Sequence, residues 1–267
     1  ALVKDKGDQK PANEPAAMHL EERFLQHPAL AIEQSRITIN SMAADAELNF
    51  SGALALLSNY TDEDFAEVQR MEGVIDRYED ILGTYLVKLT GRELSSRQSA
   101  DVSKFLHTIS DFERISDHAL NVAEAAQEIS QKGITFSGDA RHELSVLTSA
   151  LREILHNAIR AFIIEDLELA KRVEPLEELI DALCDEMKLH HVDRLQKGTC
   201  TLSQGFVFND LLTNYERVAD HCSNIAVAMI ELEADSFDTH EYLSSVRAMK
   251  SHSFARYYEE YNQRFTI

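Results

Sequence analysis

Tryptophan is absent from this 267-residue chain, and the residues that punctuate a backbone are scarce, at 9 glycines and 4 prolines. A fold of many short strands needs turn signals every ~8–12 residues, so this scarcity disfavours all-β designs and favours long helices. Cysteine is nearly absent too. Cys184, Cys200 and Cys222 make an odd number with no CxxC spacing, which argues against a disulfide framework and fits a reducing compartment. Positive charge is in short supply, with 26 basic residues against 46 acidic and a formal net charge of -20. Such a surface repels nucleic acid and anionic lipid headgroups, so no nucleic-acid partner is expected. No run of ~18 apolar residues occurs, and no segment is expected to span a membrane. Also missing are a glycine-rich phosphate loop, a GxSxG or HExxH motif and a Cys–His nucleophile arrangement. A di-iron carboxylate enzyme needs ExxH on two helices, and the chain offers one plausible instance, Glu153 with His156. The expectation is a protein that is not an enzyme.

What is present is apolar periodicity. Residues 1–17 are polar and without a period, as a disordered linker would be. A short helix is expected at 18–27, ended by Pro28. Long amphipathic helices then follow at about 29–58, 62–90, 95–131, 138–165, 167–196 and 202–233, with a weaker one near 239–249. In the second of these, Phe65, Val68, Met71, Ile75, Tyr78, Leu82 and Leu86 step by three or four and form one stripe. Ser95 with Gln98 and Thr201 with Gln204 fit capping boxes, and Thr61 with Asp64 is a looser version. Gly91, Gly133 and Gly198 sit where helices should stop. Pro175 should kink the fifth long segment or mark its true start. The stretch 131–139 reads as the hinge between two halves.

Those halves repeat. Residues 112–123, FERISDHALNVA, match 215–226, YERVADHCSNIA, at a shift of 103, and MEGVID at 71–76 matches LEELID at 176–181 at a shift of 105. Two matches in the same order imply duplication of a three-helix unit. Each half carries two ExxxD pairs: Glu72 with Asp76 and Glu113 with Asp117, then Glu177 with Asp181 and Glu216 with Asp220. Residues four apart on a helix share a face, so each pair aims two carboxylates one way. Among 46 acidic residues a single such pair carries no weight. Recurrence at equivalent places does, and most of these acids border the apolar stripe. Unpaired like charges there repel and lose hydration, a cost that a bound cation removes.

E-R-[IV]-small-D followed by N-[IV]-A, twice, beside an upstream ExxxD, resembles the paired motif of PhoU-type phosphate regulators. The resemblance covers about residues 35–233. It implies an all-α fold of two tandem three-helix bundles, with a short N-terminal helix and a C-terminal helical tail. It also implies a metal cluster in each bundle, iron or zinc first, with magnesium, manganese and calcium also open. The small residue before the Asp is often Gly in that family; here it is Ser116 or Ala219. EERFLQHPALAIEQ (21–34) and YYEEYNQRF (257–265) resemble segments of sodium/phosphate cotransporter-like proteins. That likeness, with the start at Ala1 rather than Met, leads to the expectation of a fragment: a cytoplasmic regulatory portion, tethered to the inner membrane through a preceding transmembrane region. Its partner would then be the transporter portion of the same protein, with homo-oligomerisation also open. The runner-up is a free-standing PhoU-type regulator of phosphate uptake and signalling.

The expected division is a linker at 1–17, bundles at 18–133 and 134–235, and a tail at 236–267. His118 and His221 lie five residues past the motif glutamates and turn away from them. Asn121 and Asn224 continue the four-step line from Asp117 and Asp220. All four are candidates for an outer shell around the metal. Arg114 and Arg217 are expected to pair with acids on adjacent helices.

Overall fold

The computed structural model describes residues 20–235 and 253–267, with residues 232–235 as backbone only. A 3-10 turn at Glu22–Gln26 leads into α1 (Pro28–Leu56), α2 (Asp62–Thr90) and α3 (Ser96–Lys132). After a short link come α4 (Gly138–Ile164), the single turn α5 (Leu167–Ala170), α6 (Val173–Gln196) and α7 (Leu202–Asp235). A last helix, α8, occupies 253–264. No strand occurs among the described residues, and none of their helices is long and apolar enough to cross a membrane. The expected helix near 239–249, the linker at 1–17 and the first two residues of the short helix expected at 18–27 lie outside the described residues.

Local chemistry sets the boundaries. Ser95 and Gln98 close a capping box at the start of α3. Thr201 and Gln204 do the same for α7, their backbone N–H groups donating to each other's side chains at 2.6 and 3.2 Å. Such caps satisfy backbone donors that a helix start leaves orphaned, worth about 1 kcal/mol each. Gly133 (φ 59) and Gly198 (φ 67) end helices in the left-handed region that glycine enters without a Cβ clash. Gly91 caps α2 with an ordinary φ of -77, so that stop needs no glycine. The segment expected as one helix over 167–196 is two. Asp166 caps the turn α5 through the N–H groups of Glu168 and Leu169. Pro175 then sits in the first turn of α6, where a missing N–H costs nothing. It marks the start of the helix.

The architecture is all-α, with two tandem bundles: α1, α2 and α3 pack together, and α4, α6 and α7 pack together. One continuous core joins them, because α3 also packs along α7 and α1 against α4. The stretch read as a hinge is pinned rather than loose. Phe136 meets Phe208 edge to face at 5.7 Å, and Gln204 donates to the Thr135 carbonyl at 2.6 Å. A second tie is built on Glu165, which ends α4 with a φ of 55 that side chains rarely adopt. Its carboxylate pairs with Arg36 of α1 and, at 3.0 Å, with Lys104 of α3. Burial alone would raise this carboxyl; the two cations hold it below its ordinary range. Helix α8 buries Tyr257 and Tyr261, and Phe265 just past its end is buried as well. Arg264 makes a two-armed pair with Glu153 on α4, at 3.0 and 2.6 Å.

Candidate metal centre

The motif carboxylates lie where α2 meets α3 and where α6 meets α7. Their helices bury the neighbouring stripe residues, Ile75 and Phe112 in the first half, Leu176 and Tyr215 in the second. The carboxyl one position further along is thereby set at the rim of the core at Glu113, Glu177 and Glu216, while Asp76 is exposed.

In the second half the convergence is tight. Glu177 and Asp181 of α6 and Asp220 of α7 each bring one oxygen within 4.8 Å of the other two. Asp181 Oδ1 is buried with no hydrogen-bond partner. Leaving a buried polar atom unpaired costs about 1–3 kcal/mol, so the site is built at a loss unless something positive enters. Burial, with Asp181 and Asp220 nearby, pushes Glu177 up to about 7. Burial, then Glu216 and Asp220, pushes Asp181 up to about 6. Glu216 is not in the tight group, although its charge is the first of those acting on Asp181; Lys188 Nζ lies 2.9 Å from its Oε2.

In the first half the approach of the four carboxylates is looser, and Asp76 is exposed. Burial, then Asp117 and Asp76, raises Glu72. Burial, then Asp117, pushes Glu113 up to about 7, with Glu79 adding to the rise. No three of them bring oxygens within 4.8 Å of one another. Sequence reasoning passed over Lys188, Asp185 and Glu79. The first two were findable: Asp185 lies four and Lys188 seven residues past Asp181, on the face that Asp181 uses.

The residues expected as an outer shell hydrogen-bond elsewhere. His118 Nδ1 lies 2.9 Å from Asn214 Oδ1, and Asn121 donates to the same oxygen at 3.1 Å. His221 Nδ1 lies 2.9 Å from Asp111 Oδ1, and Asn224 donates to it at 3.3 Å. The two imidazoles face each other with centroids 5.7 Å apart. These side chains join α3 to α7 across the two halves. Burial lowers the His118 pKa. Arg114 and Arg217 pair within their own helices, with Asp117 at 3.2 Å and Asp220 at 3.5 Å, rather than with a neighbouring helix. Glu153 and His156, the single ExxH, diverge: Glu153 holds Arg264, and His156 Nδ1 lies 3.0 Å from Glu47 on α1.

The duplicated helical bundle and its paired carboxylates define a class, and comparison with known proteins says which. The PhoU domain pattern matches residues 39–126 and 144–229, and the chain belongs to the PhoU family. It is 28% identical over 138 residues to the phosphate-specific transport system accessory protein PhoU homolog 1 of Thermotoga maritima, a match covering 52% of this chain and 58% of that protein. A Deinococcus radiodurans protein, a phosphate-specific transport system accessory protein PhoU homolog, is 23% identical over 161 residues, covering 60% of this chain and 74% of the relative. Among solved structures, PhoU from Pseudomonas aeruginosa superposes with a TM-score of 0.70 at 20% identity, over 79% of this chain and 99% of that one. The phosphate transport system regulatory protein PhoU from Streptococcus pneumoniae gives 0.68 at 17% identity, over 77% and 96%. At such identities the likeness establishes the fold alone. Helix α8 falls outside both segments matched by the family pattern.

Proposed function

We propose that this chain is a metal-binding, non-enzymatic regulator of phosphate transport, and that it works as the cytoplasmic portion of a sodium/phosphate cotransporter-like protein. The observation that carries the metal reading is the convergence of Glu177, Asp181 and Asp220 around an unpartnered buried oxygen, at positions that the repeat duplicates. Glu72, Asp76, Glu113 and Asp117 would hold the first ion or cluster; Glu177, Asp181 and Asp220 would hold the second. Oxygen donors suit hard cations such as iron(III), manganese, magnesium and calcium, and zinc accepts carboxylates as well. Iron or zinc is the proposed occupant. Bound metal would cross-link α2 to α3 and α6 to α7 and fix the face that they present. The cotransporter assignment is supported by residues 21–34 and 257–265; a tether to the inner membrane goes with it. A free-standing regulator is the second reading, favoured by the curated relatives, whose names describe accessory proteins. The gene's upstream reading frame separates the two.

Elemental analysis tests the metal. Asp117→Ala and Asp220→Ala should each lower the bound metal by up to half, and the double variant should carry none. All proteins are to be purified without chelator or polyhistidine tag. Wild-type protein that carries no stoichiometric metal, and takes none up on reconstitution, would sink the reading.

A further inference from the structure

The repeat supplies an internal control, since equivalent positions in the two halves can be compared in one molecule. Glu113 and Glu216 correspond at the shift of 103. On α2 and α6 the shift is 105, and Lys188 therefore falls where the first half has Gly83. A Cβ built on Gly83 would meet a methyl group of Ile109 at 3.7 Å; no cation can reach the first site from there. In the second half the Lys188 ammonium lies 2.9 Å from Glu216 Oε2 and 3.3 Å from Asp185 Oδ1. Among the described residues the cation paired with Glu113 is the exposed guanidinium of Arg114, at 3.5 Å.

We infer that the two centres are unequal by construction: in the second, Lys188 pairs with Glu216 and competes with a metal for that carboxylate, leaving Glu177, Asp181 and Asp220 as its ligands, whereas Glu113 in the first faces no lysine at the equivalent position and serves as a ligand. Two observations agree. Glu177, Asp181 and Asp220 alone form a tight group among the described residues, and Glu216 is not in it. The Lys188 side chain is one-third exposed, against 59% for Arg114 and 63% for Arg217, so it is more deeply set than the arginines that both halves share. Lys188 thus supplies the second half with a built-in cation that occupies one carboxylate and opposes a second positive charge alongside. The first centre thus keeps four candidate ligands and the second three.

The inference rests on the metal reading, and manganese(II) titration of chelator-stripped full-length protein, followed by calorimetry, separates the failure of one from the failure of the other. Asp220→Ala isolates the first centre and Asp117→Ala the second. Outer-shell partners of ligands are worth about 10- to 100-fold in affinity, so a direct ligand is worth at least about tenfold. Glu113→Gln in the first background should therefore weaken binding by that much. Glu216→Gln in the second should leave the affinity where it was. Lys188→Met in the second background should tighten binding, and adding Glu216→Gln to it should then reverse the gain. Circular dichroism confirms that each variant keeps its helices. Equal losses from Glu113→Gln and Glu216→Gln would show that Lys188 swings aside on binding and would overturn the inference. Absence of any manganese uptake by the wild-type protein would overturn the metal reading beneath it.

Discussion

Three carboxyls, Glu113 and Glu177 at about 7 and Asp181 at about 6, sit well above their ordinary values of 4.5, 4.5 and 3.8. Burial is the first cause in each, and neighbouring carboxylates the second. In the unfolded chain these groups lose their protons near pH 4, while the folded protein keeps them until pH 6–7. Between those limits the folded state binds more protons, so stability falls as pH rises. The metal-free protein should therefore melt at a lower temperature at pH 7.5 than at pH 5, and metal loading should flatten the slope. Thermal melts across that range check it; a metal-free melting temperature that rises with pH would contradict it. The shared helix face of each ExxxD pair was legible in the sequence because helical spacing is a local fact, whereas the convergence of Glu177 and Asp181 with Asp220 depends on how α6 packs on α7. The partners of His118 and His221 were not legible either, because Asn214 and Asp111 lie about a hundred residues away and only packing brings them in.

Helix boundaries were the best-read feature, since caps and apolar stripes are written in short stretches. The split at 167–172 escaped because Asp166, which ends one element and caps the next, looks like any surface acid in a sequence this acidic. Two glycines inside helices make opposite predictions. A Cβ on Gly73 in α2 would meet nothing within 4 Å, whereas one on Gly205 in α7 would lie 2.4 Å from His191 Nε2. Glycine costs a helix interior roughly 0.5–1 kcal/mol against alanine, so Gly73→Ala should stabilise by about that much. Gly205→Ala must displace the His191 ring, stacked on Phe208 at 5.3 Å, and should cost about 1–3 kcal/mol, as overpacking does. Urea unfolding of the two variants measures both. A stabilised Gly205→Ala protein would show that the ring moves aside freely.

Over the whole molecule, the two halves are distinct in sequence yet share a core, which periodicity could not reveal: it shows that each helix has an apolar face and not which helix covers it. Helix α3 serves both halves. A protease site placed within 134–137 should consequently be cut slowly, because Phe136 and Thr135 are tied to α7. Once cut, the fragments should stay together through gel filtration. Separation of the nicked halves under native conditions would mean that the α3–α7 contact is too weak to hold them.

That contact has the pattern of a dyad. His118 and Asn121 reach position 214, and their counterparts His221 and Asn224 reach position 111, as in an isologous dimer, where residue i meets j and j meets i. In a true dimer any substitution appears at both ends of the interface at once. Here a covalent link removes that obligation, and the ends have diverged: aspartate faces one imidazole and asparagine the other. The chain is a symmetric dimer freed to become asymmetric, and Lys188 opposite Gly83 is the same freedom exercised at the carboxylate clusters.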